Sequence, residues 1–102
     1  MTGIRLEWDE AKNRANQRKH SVRFEEAIQV FRDPLYVSVK DRIEGGEQRW
    51  QTLGIVGDLL LLTVAHAFIE EYEQDTPIEV IRIISARRAT PKERRRYEEE
   101  NG

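Results

Sequence analysis

The sequence predicts a small α+β domain with the order strand, helix, helix, four strands, helix, and three observations carry that expectation. Between a short alternating start and Asp33-Pro34 apolar residues keep helical spacing, and they switch to a spacing of two from Leu35 onward. Glycine turn signals at Gly45-Gly46 and Gly57-Asp58 cut the second half into strands, and Thr90-Pro91-Lys92-Glu93 marks a helix start near the end. With 102 residues the chain reads as one domain, 1–102, able to bury roughly two thirds of its unfolded surface around a single core.

Each element follows from its pattern. Ile4, Leu6 and Trp8 alternate with Arg5 and Glu7, which predicts a first strand with one buried face. Asp9 fits the N-cap of a helix running to about Lys19, with Ala11 and Ala15 on its narrow buried face. After a break at His20 and Ser21, Phe24, Ala27, Ile28 and Phe31 fall at i, i+3, i+4 and i+7, one apolar helical stripe that Asp33-Pro34 ends. Leu35, Val37 and Val39 alternate in a second strand, and Gln48 to Ile55 alternates around Trp50 and Leu53 in a third. Leu59 to Phe68, apolar on both faces, predicts a central strand joined to the third through Val56-Gly57-Asp58. An acidic loop containing Pro77 then precedes the isoleucine-rich strand Ile78 to Ala86. Thr at the N-cap, Pro at N1 and Glu at N3 open the last helix.

Composition narrows the function classes. The chain has no cysteine and two histidines far apart, which leaves no disulfide framework and argues against a dedicated zinc site. A reducing, cytoplasmic setting fits. The longest apolar run falls short of a membrane span, and the charged N-terminus lacks a signal-peptide core. The formal charge of −2, from 17 basic and 19 acidic residues, hides two basic stretches and one acidic one. Lys12, Arg14, Arg18, Lys19, His20 and Arg23 make the first basic stretch; Arg82, Arg87, Arg88, Lys92, Arg94, Arg95 and Arg96 make the second; Glu70, Glu71, Glu73 and Asp75 are acidic. Arginines open the last helix and glutamates close it, the reverse of what the helix dipole favours. Two accounts fit: a solvated tail self-paired through Arg94/Glu98, Arg95/Glu99 and Arg96/Glu100, or a cationic patch kept for an anion beside a helix N-terminus.

Several blocks, in this order and spacing, resemble the BrnT family of toxins from bacterial type II toxin–antitoxin systems, nearly end to end. They are Glu7-Trp8-Asp9, Lys12, Asn16 and Lys19-His20, Phe24-Glu25-Glu26-Ala27, Asp33-Pro34, Arg49, His66, Ile81 through Arg87, and Glu93 with Tyr97. The resemblance implies a RelE-like fold with a small, mainly antiparallel sheet, and a cytoplasmic ribonuclease that arrests translation. It also implies a BrnA-type antitoxin whose ribbon-helix-helix part binds operator DNA, so that this chain meets DNA only through its partner. The sequence departs from that resemblance at Ala67 and Ile69, where relatives often carry Thr and Arg.

RNA cleavage without a metal or other cofactor needs a base for the ribose 2′-hydroxyl, cations for the charge developing on the phosphate, and an acid for the leaving oxygen. His20 and His66 are the side chains whose ordinary pKa lies near neutrality. Arg49, Arg82 and Arg87 are candidate phosphate ligands, and Tyr97 a candidate proton donor or stacking ring. Lys12, Lys19, Arg88, Lys92, Arg94 and Arg95 are the candidate RNA contacts. Each has a structural alternative: His66 as a hydrogen-bonded core residue, His20 as a helix-end cation, and one of Arg82 and Arg87 as a partner of Glu7 or Asp9. Regular alternation puts Arg49 opposite Trp50, and it cannot put both Arg82 and Arg87 on one face. Neutralisation is expected from a partner covering the cationic patch. A homodimer is also compatible with the sequence, as is a non-catalytic partner-binding or corepressor module of the same fold. Direct DNA binding by the arginine-rich helix is disfavoured by its interleaved glutamates.

Overall fold

The computed structural model describes residues 3–57 and 60–102. Strand β1 (Gly3–Glu7) leads into α1 (Glu10–His20) and the single turn α2 (Phe24–Ala27), which continues as a 3-10 helix over Ile28–Arg32. Strands β2 (Val37–Glu44), β3 (Glu47–Val56), β4 (Leu60–Glu73) and β5 (Thr76–Arg88) follow, and α3 (Pro91–Asn101) closes the chain. The five strands form one sheet in the order β1-β5-β4-β3-β2. Among the described residues only the β1–β5 pair is parallel.

Local chemistry explains most boundaries. Asp9 caps α1 by accepting from the backbone N–H groups of Ala11 at 2.8 Å and Lys12 at 3.3 Å, and Ser21 ends it in the left-handed region with φ 59°. Ala11 and Ala15 are exposed, however; the buried side chains of α1 are Asn13 and Asn16. Asn16 donates to the Val22 and Ala86 carbonyls at 2.9 and 2.8 Å and accepts from the Ala86 N–H at 3.1 Å. β1 reaches only to Arg82 along β5, so this amide takes the place of a strand at the remaining edge. Asn13 accepts from the Phe24 N–H at 2.8 Å and so starts the next turn.

The second predicted helix shows another difference. Its buried residues are Phe24, Ala27 and Val30, at a spacing of three, and the chain tightens to 3-10 geometry to present them; Ile28 and Phe31 are only half-buried. Gly54 of β3 makes that approach possible: a Cβ there would lie 2.8 Å from the Val30 carbonyl oxygen and 2.9 Å from its Cα. The apolar core lies between these helical segments and the strands, built from Val22, Phe24, Ala27, Val30, Leu62, Val64, Ile81, Ile83 and Ala86.

β2 begins at Val37, leaving Leu35 and Tyr36 exposed before it. Of the predicted Val56-Gly57-Asp58 connection, Gly57 turns with φ 64°, while Asp58 and the following Leu59 lie outside the described residues. The predicted acidic loop is strand instead: β4 runs to Glu73 and β5 starts at Thr76, with Gln74 and Asp75 at φ 49° and 65° between them. Two residues at positive φ fit the twist of a tight hairpin, and this pair carries no glycine to announce it.

Candidate active face

Residues paired across neighbouring strands point to the same side of a sheet, so the registers assign every side chain to a face. On β3 and β4, Trp50, His66, Leu62 and Val64 face the helical segments, while Glu47, Arg49, Gln51, Leu53, Thr63, Ala65 and Ala67 face the other way. β5 should put Arg82 and Arg87 on opposite faces. It does not, because Ile83 pairs with His66 while Ser85 pairs with Ala65, leaving Ile84 as an extra residue in a bulge. The bulge shifts the alternation by one. Arg82, opposite Ala67, and Arg87, opposite Thr63, therefore share a face with each other and with Arg49.

The resulting geometry is a row across three strands. Arg49 and Arg82 flank Ala67, two strand spacings or roughly 10 Å apart at the backbone. Gln51, Ala65 and Ser85 form the next row, and Leu53, Thr63 and Arg87 the one after it. Alanines at the centre make a low floor between the cations. Glu47 joins the two flanks: it accepts a hydrogen bond from Arg82 and lies 3.5 Å from Arg49 Nε, itself a buried nitrogen with no hydrogen-bond partner. Among the described residues, neither Arg82 nor Arg87 meets Glu7 or Asp9 in an ion pair.

α3 packs over one end of this face. The Thr90 capping box is complete: Thr90 Oγ1 accepts from the Glu93 N–H at 3.2 Å, and the Glu93 carboxylate accepts from the Thr90 N–H at 2.8 Å. Arg87 donates to the same carboxylate in a fork at 2.7 and 3.0 Å, and Thr63 adds a bond at 2.9 Å. Burial alone would raise the pKa of Glu93, but these donors outweigh it and hold the carboxyl at about 2. Lys92, Arg95 and Arg96, interleaved with Glu93, Glu99 and Glu100, line a groove of about 620 Å³ between α3 and the sheet, with Gln51 and Leu53 as its floor. Among the described residues no ion pair closes between Arg94 and Glu98, Arg95 and Glu99, or Arg96 and Glu100, so the arginines of α3 are not self-paired.

Other expected site residues lie elsewhere. His66 is fully buried on the helix-covered face, sharing a 2.7 Å hydrogen bond through Nε2 with Thr52 Oγ1, which lies 2.6 Å from Ser38 Oγ. Phe31 and Phe68 pack edge-on to its ring, with centroids at 5.1 and 4.8 Å. Among the described residues its Nδ1 has no partner, and burial pushes its pKa down to about 4. Tyr97 donates at 2.6 Å to Asp33, which also accepts from the Ile55 N–H at 2.8 Å; burial and that carboxylate push the phenol up to about 12. His20 is half-buried at the end of α1, and Lys12 and Lys19 are exposed on α1, which packs against β5 at the edge that Asn16 seals. Arg88, opposite Leu62, is turned toward the helix-covered side. Glu47 belongs to no motif, and the signal in the sequence that it shares a face with Arg49 is their spacing of two.

The family described as "Ribonuclease toxin, BrnT, of type II toxin-antitoxin system" matches residues 8–93. The chain belongs to the BrnT family. Its fold is similar to that in the 1.1 Å crystal structure of the Brucella abortus ribonuclease toxin BrnT, with a TM-score of 0.55 and 20% identity over 87% of this chain and 99% of that one. At that identity the likeness is one of fold. No curated protein matches the chain. Membership of a type II toxin–antitoxin family implies an antitoxin partner. No described helix is long and apolar enough to cross a membrane, and among the described residues no group of three His, Cys, Asp or Glu side chains is placed to hold a metal ion.

Proposed function

We propose that this BrnT-family chain is a metal-independent RNA endonuclease, RelE-like in architecture, whose active surface is the arginine-bearing face of the sheet. The Arg49–Ala67–Arg82 row carries the reading: two arginines on either side of an alanine floor, both facing Glu47, can offer a phosphate that displaces this carboxylate a cation on each side. Both are preorganised by Glu47 rather than free to roam. A phosphate entering the clamp competes with Glu47 for Arg82. The released carboxylate is then the base that takes the ribose 2′-hydroxyl proton as that oxygen attacks the adjacent phosphorus. The arginines stabilise the negative charge that develops, and the 5′-oxygen leaves with a proton from solvent or a neighbouring donor. Lys92 and Arg95 hold the RNA along the groove beside α3, and Arg94 extends that contact at the surface.

His66 and Tyr97 serve this face indirectly, His66 by filling the layer beneath the strands and Tyr97 by tying α3 to Asp33. Arg87 positions α3 through Glu93. His20, Lys12, Lys19 and Arg88 contribute at most to long-range attraction. The same reading includes translation arrest in the cytoplasm, a BrnA-type ribbon-helix-helix antitoxin that neutralises the toxin, and contact with operator DNA only through it. A non-catalytic corepressor is the rival reading, favoured by Ile69, which places an apolar side chain on the arginine face where the resemblance leads one to expect an arginine.

The test is single-turnover cleavage of a short RNA by purified protein, with and without EDTA, alongside Arg82→Ala, Arg49→Ala and Glu47→Gln variants of native melting temperature. The expected result is cleavage insensitive to EDTA that falls at least a hundredfold in each variant. Cleavage retained in all three removes this face from the reaction, and no cleavage or growth arrest by the native chain selects the corepressor reading.

A further inference from the structure

β4 and β5 outrun the helical segments. The helix-covered face is sealed around Val64, Ile83 and Ala86, but its far end is open. There the registers place Phe68, Ile81 and Leu6 in one row across β4, β5 and β1, and Glu70, Glu79 and Ile4 in the next. Ile4 is 69% exposed, Tyr36 49%, and Leu6 and Phe68 37% each, so the first strand's apolar face, expected to be buried, is largely uncovered. Ile4, Leu6, Phe31, Tyr36, Phe68 and Ile81 surround a hollow of about 300 Å³, enough for one or two large side chains, and Glu79 and Ser38 complete its wall.

The rim of this hollow breaks a local rule. Glu70 and Glu79 stand directly opposite each other on one face, an arrangement that like charges disfavour. Among the described residues neither forms a salt bridge; Glu70 accepts only a hydroxyl hydrogen bond, from Tyr72 at 2.9 Å. The nearest strand cation, Arg5, points to the other face, where it pairs with Glu71 and Glu73. Two unneutralised carboxylates beside an open apolar hollow complement a chain that presents a large apolar side chain with a lysine or arginine close by. RNA phosphate is repelled there. A two-fold contact of this face with a second copy brings four carboxylates together.

We infer that this end of the helix-covered face is an anchor site for the antitoxin, which docks an apolar residue in the hollow and a basic residue between Glu70 and Glu79. The site lies on the side of the sheet away from Arg49 and Arg82, so anchoring and RNA cleavage use different surfaces. This rests on the reading above that an antitoxin neutralises the chain.

The experiment measures affinity, by calorimetry, of the purified chain for its cognate BrnA-type antitoxin, with Glu70→Lys and Ile4→Lys variants. Glu70→Lys removes the like-charge pair, so the variant alone should melt no lower than the native chain and cleave RNA at the native rate within twofold. Its affinity for the antitoxin should nevertheless fall at least tenfold, as should that of Ile4→Lys. Arg82→Ala should bind within twofold of native. Native affinity in both lysine variants overturns the anchor site while leaving the antitoxin reading intact. Failure of the native chain to bind overturns that reading and the anchor together. A sedimentation change from dimer to monomer in Ile4→Lys with unchanged antitoxin affinity assigns the hollow to a second copy and overturns the proposal. A change confined to RNA affinity in Glu70→Lys does the same in favour of RNA.

Discussion

Burial of His66 couples stability to pH. An unfolded chain protonates this ring near its ordinary value of 6.5, whereas the folded chain resists until about 4. Between those values the unfolded state holds more protons, so the contribution of the neutral ring is complete above pH 6.5 and is lost as pH falls through 4. The gap corresponds to about 3 kcal/mol. Denaturant titrations from pH 7.5 to 4.5 should show stability declining through that window in the native chain and no comparable decline in His66→Gln, where the Thr52 and Ser38 hydroxyls remain. A native profile flat over the same range would contradict a neutral, buried ring. Asn16 makes a different demand, since its amide satisfies three backbone groups at once. Asn16→Leu preserves volume but strands the Ala86 N–H and two carbonyls, and should lower the unfolding free energy by about 3 kcal/mol in a denaturation experiment. Hydropathy could not disclose this role: an asparagine reads as surface, and its burial follows from a sheet edge whose missing strand no local pattern records.

Elements whose period was strong were legible, and those set by an inserted residue were not. The strands from Val37 onward follow their alternation except between Lys40 and Ile43 and at Ile84, and the Thr90 capping box forms as its four residues predict. The bulge at Ile84 carries no composition signal, yet it decides that Arg82 and Arg87 share a face and thereby creates the candidate site. Tightening of the second helix to a period of three escaped for a related reason, because Phe24, Ala27 and Ile28 also satisfy an ordinary helical stripe. At α3, attachment depends on one carboxylate. Glu93 joins the cap, the Arg87 fork and Thr63, and its pKa lies near 2 against an ordinary 4.5. Its contribution is present above pH 4.5 and fades as pH falls through 2, and after allowance for solvent screening it is worth about 1–2 kcal/mol. Glu93→Gln should therefore destabilise the domain by that amount at pH 7. The amides of α3 should exchange with solvent faster while those of β4 keep their protection. Uniform loss of protection would show instead that α3 and the sheet unfold as one unit.

For the molecule as a whole, the division of labour between faces outweighs the net charge of −2. One side of the sheet gathers Arg49, Arg82 and the groove cations of α3; the far end of the other presents Glu70 and Glu79 beside apolar side chains. A summed charge would steer RNA away, so binding must come from a few local phosphate contacts and depend only moderately on salt. Counting the Arg49–Arg82 clamp, Lys92 and Arg95 as three phosphate contacts on single-stranded RNA gives a slope of log affinity against log salt of about −2, or roughly a tenfold to twentyfold loss between 50 and 200 mM. Arg82→Ala should remove one contact and flatten the slope by about 0.7, whereas Lys12→Ala on α1 should leave it unchanged. Fluorescence anisotropy of a labelled oligonucleotide across that salt range measures both. If Lys12→Ala flattened the slope and Arg82→Ala did not, RNA would lie along α1 and the β5 edge, and the arginine row would be a structural network closed by Glu47.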